Sequence, residues 1–121
     1  MKIKEKYTNI ESTQAISSYL HQKLSHLEKF IIKNDNSALC EIELAKTTNH
    51  HKNGDIFKAE INLTVAGDQY LAVSEEIDLY AAIDLAKDNM VRELQTSKDK
   101  KVSLARRGGA KIKNLIKGIF E

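Results

Sequence analysis

Proline does not occur anywhere in the 121 residues, so no helix is forced to kink and no strand loses a ladder donor to a ring nitrogen. A single cysteine, Cys40, excludes an internal disulfide and fits a reducing compartment, so a cytoplasmic protein is expected. Apolar runs are only a few residues long, far short of the roughly 18 that span a bilayer. The opening "MKIKEKYTNIE" has no apolar core of the kind a secretory signal needs. No G-x-S-x-G, P-loop or G-x-G-x-x-G spacing is present, which removes the common signatures of acyl transfer and nucleotide-phosphate chemistry.

What is present is an ordinary globular composition, 41% apolar and 30% charged, in a chain long enough for one modest core. The formal charge of +2 conceals an uneven distribution. From Lys98 onward, Lys98, Lys100, Lys101, Arg106, Arg107, Lys111, Lys113 and Lys117 face only Asp99 and Glu121, a net +6, while residues 1–97 carry −4. Such asymmetry points to a polyanionic partner, nucleic acid or a membrane surface.

Hydrophobic periodicity divides the chain. In "KIKEKYTNIE" Ile3, Glu5 and Tyr7 alternate with Lys2, Lys4 and Lys6, an edge strand guarded by lysine. Ser12 or Thr13 can cap a helix whose stripe is Ile16, Leu20, Leu24, Leu27 and Ile31, ending near Lys33 before the loop at 34–37. Cys40, Ile42 and Leu44 mark a second strand, and Phe57, Ala59, Ile61, Leu63 and Val65 the cleanest alternation in the chain. A polar loop ending in Asn53-Gly54 joins them as a hairpin. After a turn at 66–68, Leu71 and Val73 indicate a short fourth strand. Asp78 then opens a helix with the stripe Leu79, Ile83, Ala86, Met90 and Leu94. The order is β-α-β-β-β-α, which predicts an α+β sandwich: a four-stranded sheet with two helices packed on one face. The expected division is a domain over 1–101 and a basic, weakly helical tail over 102–121, with Gly108-Gly109 as its joint.

Candidate catalytic groups are sparse. His50 and His51 sit in a loop, His21 and His26 on the first helix, and no three or four ligands share a metal spacing. Glu41, Glu43 and Glu60 occupy the polar side of strands, and Cys40 an apolar position that suits an inert thiol. Neither an enzyme nor a metal or other cofactor is expected. The basic residues say more. Tyr80, Lys87 and Lys98 fall near one line along the last helix, and Lys23, Lys29 and Lys33 project from the first, so the two sets could line a furrow between helices. Cations at a helix exit complement its dipole, by about 0.3–1 kcal/mol each. That local effect explains one or two lysines, whereas the run through Lys117 reads as a footprint for phosphates. The tail "AKIKNLIKGIF" could lie on a membrane, but its apolar face is short, and ordering against RNA or protein is the favoured reading.

The stretch "LYAAIDLAKDNMVRELQTSKDKK" resembles the last helix of the ribosome hibernation promoting factors, also called ribosome-associated translation inhibitors. Asp78, Tyr80, Ala82, Ile83, Asp84, Arg92, Leu94, Lys98 and Lys100 match the family pattern D-x-Y-x-A-I-D followed by R-x-L-x-x-x-K-x-K. The first helix is similar through Ala15, Lys23, Leu24, Leu27, Glu28 and Phe30. The resemblance spans roughly residues 1–101 and implies the same β-α-β-β-β-α fold. It implies binding to the small ribosomal subunit at the mRNA and tRNA channel, translation inhibited by steric occlusion, and protection of idle ribosomes. Lys23, Lys29, Lys87, Arg92, Lys98, Lys100 and Lys101 would contact rRNA phosphates, joined by Arg106 and Arg107 from the tail, while Tyr80 would be mainly structural. Thr96, Ser97 and Asn89 depart from positions that are commonly basic, or at 96 and 97 basic or His, in the family, a loss the tail is expected to offset. The length implies a short form without the dimerisation domain of long members, monomeric off the ribosome, with no membrane partner and no small-molecule substrate. Two alternatives stay open: a general double-stranded RNA-binding module, and a protein-interaction or transcription-modulating module that docks through Ile112, Ile116 and Phe120.

Overall fold

The computed structural model describes residues 1–31, 37–48 and 54–108. The loop histidines His50 and His51, Asn53 of the proposed hairpin turn, Lys33 and the tail from Gly109 onward lie outside the described residues. In chain order the elements are β1 (Lys2–Thr8), α1 (Gln14–Leu24), a 3-10 segment (Ser25–Phe30), β2 (Leu39–Thr48), β3 (Asp55–Val65), β4 (Asp68–Glu76) and α2 (Leu79–Gly108). The sheet runs β1-β2-β3-β4, with β1 parallel to β2 and both other pairs antiparallel. The expected α+β order is therefore the observed one.

Local chemistry explains the element ends. Thr13 caps α1 by accepting the Ile16 amide at 3.2 Å, and Asp78 does the same for α2 through Ala81 at 3.1 Å. The first helix stripe is continued beyond Leu24 by tighter 3-10 turns, which keep Leu27 fully buried before the backbone turns extended at Ile31. That helix therefore ends sooner than its periodicity predicts. Between β3 and β4 the chain reverses in two residues, Ala66 and Gly67, with φ of 51° and 84°. Positive φ at both positions matches the twist of an antiparallel pair, and it is a conformation glycine adopts freely and alanine does not.

One core joins the layers. Leu20, Leu24 and Leu27 pack with Cys40, Ile42 and Leu44 of β2, Ala59, Ile61 and Leu63 of β3, and the α2 stripe Ile83, Ala86 and Met90. Register places Ile42 beside Ile61 and Ile61 beside Ala72, so these share the covered face. On β4 the bulky residues are not the covered ones. Leu71 and Val73 point outward and are 55% and 41% exposed, while Ala72 and Ser74 face the helix. Small side chains are needed there because α2 lies against β4, with the Ser74 hydroxyl donating to the Ala82 carbonyl. α2 also outlasts the core. Its last buried stripe residue is Leu94, yet the helix runs unbroken past Lys101 to Gly108.

The edge strand β1 is tied down by two carboxylates. Glu5 accepts from Tyr7 at 2.8 Å and Ser17 at 3.2 Å and lies 3.2 Å from His21 Nε2, linking β1 to α1. Glu43 of β2 accepts the Thr8 hydroxyl at 2.6 Å. Burial pushes the Glu5 carboxyl up, but the hydrogen bonds from Tyr7 and His21 outweigh it and leave it below its ordinary value. The Thr8 hydrogen bond lowers Glu43 likewise. Both groups are ionised more readily when folded, so their stabilisation is complete above the ordinary carboxylate value of 4.5 and is lost as pH falls through the lower folded values. Amide exchange of β1 relative to β3 should therefore accelerate below that pH, and Glu5→Gln with Glu43→Gln should flatten the dependence. At the β3–β4 turn, Ala66→Asn should stabilise the fold by about 1 kcal/mol, because Asn tolerates the left-handed region where Ala is strained. Thermal unfolding should shift upward by roughly 4–8 °C.

Candidate nucleic-acid interface

The two helices meet along a cluster built from two i, i+4 pairs. Tyr19 and Lys23 lie one turn apart on α1, and Tyr80 and Asp84 one turn apart on α2. Tyr19 donates its hydroxyl to Asp84 Oδ1 at 2.6 Å. Its ring meets Tyr80 edge-to-face, with centroids 4.8 Å apart and planes at 87°. Lys23 Nζ sits 3.4 Å from the same Asp84 oxygen and 5.3 Å from the Tyr19 ring centroid. The hydrogen bond to Asp84 is the main reason the Tyr19 phenol is pushed up to about 12. Asp84 thus holds the helices together and compensates the charge of Lys23.

The cations anticipated for one furrow divide into groups. Lys23 and Lys87 are the half-buried ones, with side chains 24% and 15% exposed, and each has a carboxylate beside it: Asp84 for Lys23, and Asp88 at 2.6 Å for Lys87. Lys29, from the 3-10 segment, and Lys98, from α2, are exposed and meet at the rim of a cavity of about 120 Å³. Among the described residues neither is in an ion pair. Arg92 lies on another flank of α2, beside Leu71 and Val73 of β4, about 120° around the helix from Lys98. Lys100 is exposed on the helix exit, and the α2 backbone carries Lys101, Arg106 and Arg107 onward along the same axis.

Sequence reasoning named Lys23 but missed the two groups that position it, Tyr19 and Asp84. The signal was available as the paired i, i+4 spacings, but spacing within each helix does not say that the two helices face each other there. The other candidate chemistry is quiet. Burial, with the neighbouring charge of Glu41, pushes the Cys40 thiol up to about 12, where it holds its proton. Among the described residues no group of three or more His, Cys, Asp or Glu side chains converges as metal ligands. No described helix is long and apolar enough to cross a membrane.

Comparison with known proteins bears on the same residues. The family described as "Sigma 54 modulation protein / S30EA ribosomal protein" matches residues 3–102. A ribosome hibernation promoting factor of Klebsiella oxytoca is 34% identical over 92 residues, covering 76% of this chain and 87% of that protein. Its counterpart in Azotobacter vinelandii is 30% identical over 93 residues, covering 77% and 78%. Among solved structures, the N-terminal domain of Thermus thermophilus Protein Y superposes with a TM-score of 0.66 at 27% identity, covering 79% of this chain and 98% of that one. A ribosomal subunit interface protein from Coxiella burnetii shares the fold, with a TM-score of 0.64 at 18% identity.

The interhelical cluster has a direct test. Tyr19→Phe keeps the ring against Tyr80 but removes the donor to Asp84, so stability should fall by about 1–2 kcal/mol in denaturant unfolding. Spectrophotometric titration of the variant should lose the phenol that ionises near 12.

Proposed function

The chain belongs to the Sigma 54 modulation protein / S30EA ribosomal protein family, and on that premise we propose that it is a ribosome hibernation factor acting on the small ribosomal subunit. The observation that carries this reading is the family match over residues 3–102, which takes in the sheet, α1 and α2 as far as its lysine-rich exit. The relatives that cover the same residues are named for ribosome hibernation. The protein occupies the mRNA and tRNA channel as a compact wedge and blocks translation sterically, in the cytoplasm, as a monomer off the ribosome. No bond is made or broken.

Charge placement supports that mechanism. A surface that docks on folded rRNA needs cations at fixed positions more than it needs a large net charge, because phosphate contacts position a protein. Lys29 and Lys98 are displayed from two elements, and Lys100, Lys101, Arg106 and Arg107 continue along α2. Residues 102–121, read as a basic tail, extend this surface and offset the uncharged Asn89, Thr96 and Ser97. Lys23, Lys87 and Arg92 are contacts of the flanks. Lys23 and Lys87 contribute less charge than their number suggests, because Asp84 and Asp88 already share it.

Co-sedimentation of the full chain with purified ribosomal subunits across a salt series tests the reading. Binding should favour the small subunit over the large one and over a bare RNA duplex. Log affinity should fall with log salt by about 0.7–0.9 per phosphate contact. Lys29→Ala and Lys98→Ala should each reduce that slope by about 1, whereas Lys87→Ala should change it less. Absence of pelleting with either subunit at low salt would defeat the proposal.

A further inference from the structure

We propose that, in the free protein, residues 110–120 return along α2 and pair with the open edge of β4 as a fifth strand of the sheet. The inference goes beyond the ribosome-binding reading and does not rest on it.

The two edges of the sheet are protected unequally. β1 carries Lys2, Lys4 and Lys6, side chains that discourage a further strand. β4 has no lysine, no proline and no bulge, since its register runs unbroken from Glu76 opposite Phe57 to Asp68 opposite Val65. The turn at Ala66 and Gly67 is two residues long, so Val65 and Asp68 close it as a hydrogen-bonded pair. Alternation from that pair turns the N–H and C=O groups of Gln69, Leu71, Val73 and Glu75 away from β3. Among the described residues no strand pairs with them. Leu71 and Val73 add exposed apolar side chains at the same positions. A groove of about 330 Å³ follows this edge, with Leu71 and Val73 on one side and Asn89, Arg92 and Thr96 of α2 on the other. An edge of this kind is a template for strand addition.

The chain's own C-terminal residues fit it in position, pattern and charge. α2 runs antiparallel to β4, because Ser97 meets Tyr70 and Ala82 meets Ser74. It passes the Asp68 end of β4 and reaches Gly108 eleven residues beyond Ser97, about 16 Å further on. Gly108-Gly109 is a sequence at which the backbone can reverse. Residues 110–121 then extend by up to about 40 Å, which covers both the return and the length of β4. Tethering favours this occupant over a second copy, since a short linker supplies an effective concentration on the order of mM.

As a strand these residues alternate, with Ile112, Ile116 and Phe120 on one face and Lys111, Lys113 and Lys117 on the other. The apolar face meets the flank of α2 that exposes Leu85, on the same line as Asn89, Arg92 and Thr96. The lysine face meets the open side of the sheet, where Glu60 lies opposite Val73, and Glu75 opposite Lys58. A polyanion competes for the same lysines, so the pairing belongs to the free protein.

Amide exchange, read residue by residue on the isotope-labelled full chain, tests the proposal. The Leu71 and Val73 amides should show contacts to residues 114–118 and exchange about tenfold or more slowly than in Ile116→Pro. That substitution removes one donor of the added ladder without changing charge. Val73→Lys, which gives β4 the guard that β1 has, should speed Leu71 to the same rate. Unchanged protection of β2 and β3 in both variants reports that they fold. Equal, fast exchange of Leu71 and Val73 in the full chain and in Ile116→Pro overturns the proposal. Protection that rises with protein concentration assigns the edge to a second copy and overturns it as well. Small-subunit pelleting in parallel reports on ribosome binding alone: its failure leaves the fifth strand standing, and loss of the strand leaves the ribosomal reading untouched.

Discussion

The close seating of α2 on β3 and β4 is the contact on which the rest of the molecule depends. It is possible because small residues meet there: Ala72 and Ser74 from β4, Ala59 from β3, and Ala82 and Ala86 from the helix, all buried. Larger side chains, Ile61, Leu63, Ile83 and Met90, fill the space beside this contact. The helix is thereby held at one angle and one rotation. A methyl-sized change at the contact would be felt along the whole helix, since packed interiors have little slack. That rotation brings Asp84 to Tyr19 and Lys23, and Lys98 to the rim it shares with Lys29.

The same seating separates two uses of charge. Alongside the core, cations are matched locally: Lys23 by Asp84, Lys87 by Asp88, and Lys46 by Asp55 at 3.2 Å. Partly exposed pairs of this kind contribute little to stability, about 0–1 kcal/mol, but they cancel the local field. Past Leu94 the helix no longer contributes to the buried core, and the carboxylates thin out while lysines and arginines continue. The formal charge is thereby divided, −4 over residues 1–97 and +6 beyond them.

Stability at the opposite edge rests on different chemistry. β1 pairs with only one neighbour, and it is secured to the body by Glu5 on α1 and by Thr8 on Glu43. The lysines Lys2, Lys4 and Lys6 on its outer side discourage further strand pairing. The protein therefore guards one sheet edge by charge, while Lys23, Lys87 and Lys98 lie on the helices.

Much of the fold was legible because its patterns are local. Alternation marked β1, β2 and β3, three- and four-residue spacing marked both helices, and Thr13 and Asp78 announced their starts. The net +6 beyond residue 97 was likewise a property of the chain alone. What stayed hidden shares one cause. Leu71 and Val73 marked β4, but their bulk did not say that they face outward, because which side of a strand is covered depends on what packs against it. Lys23 and Lys87 could be placed on helix faces, but their partners could not, and Arg92 could not be told apart from Lys98. The sequence by itself determined the elements, their order and where charge accumulates, since these follow from residues a few positions apart. Only the tertiary structure decided which cations are neutralised and which meet at a cleft, because pairs such as Tyr19 with Asp84 and Lys29 with Lys98 are separated by more than sixty residues and join only when α2 seats on the sheet.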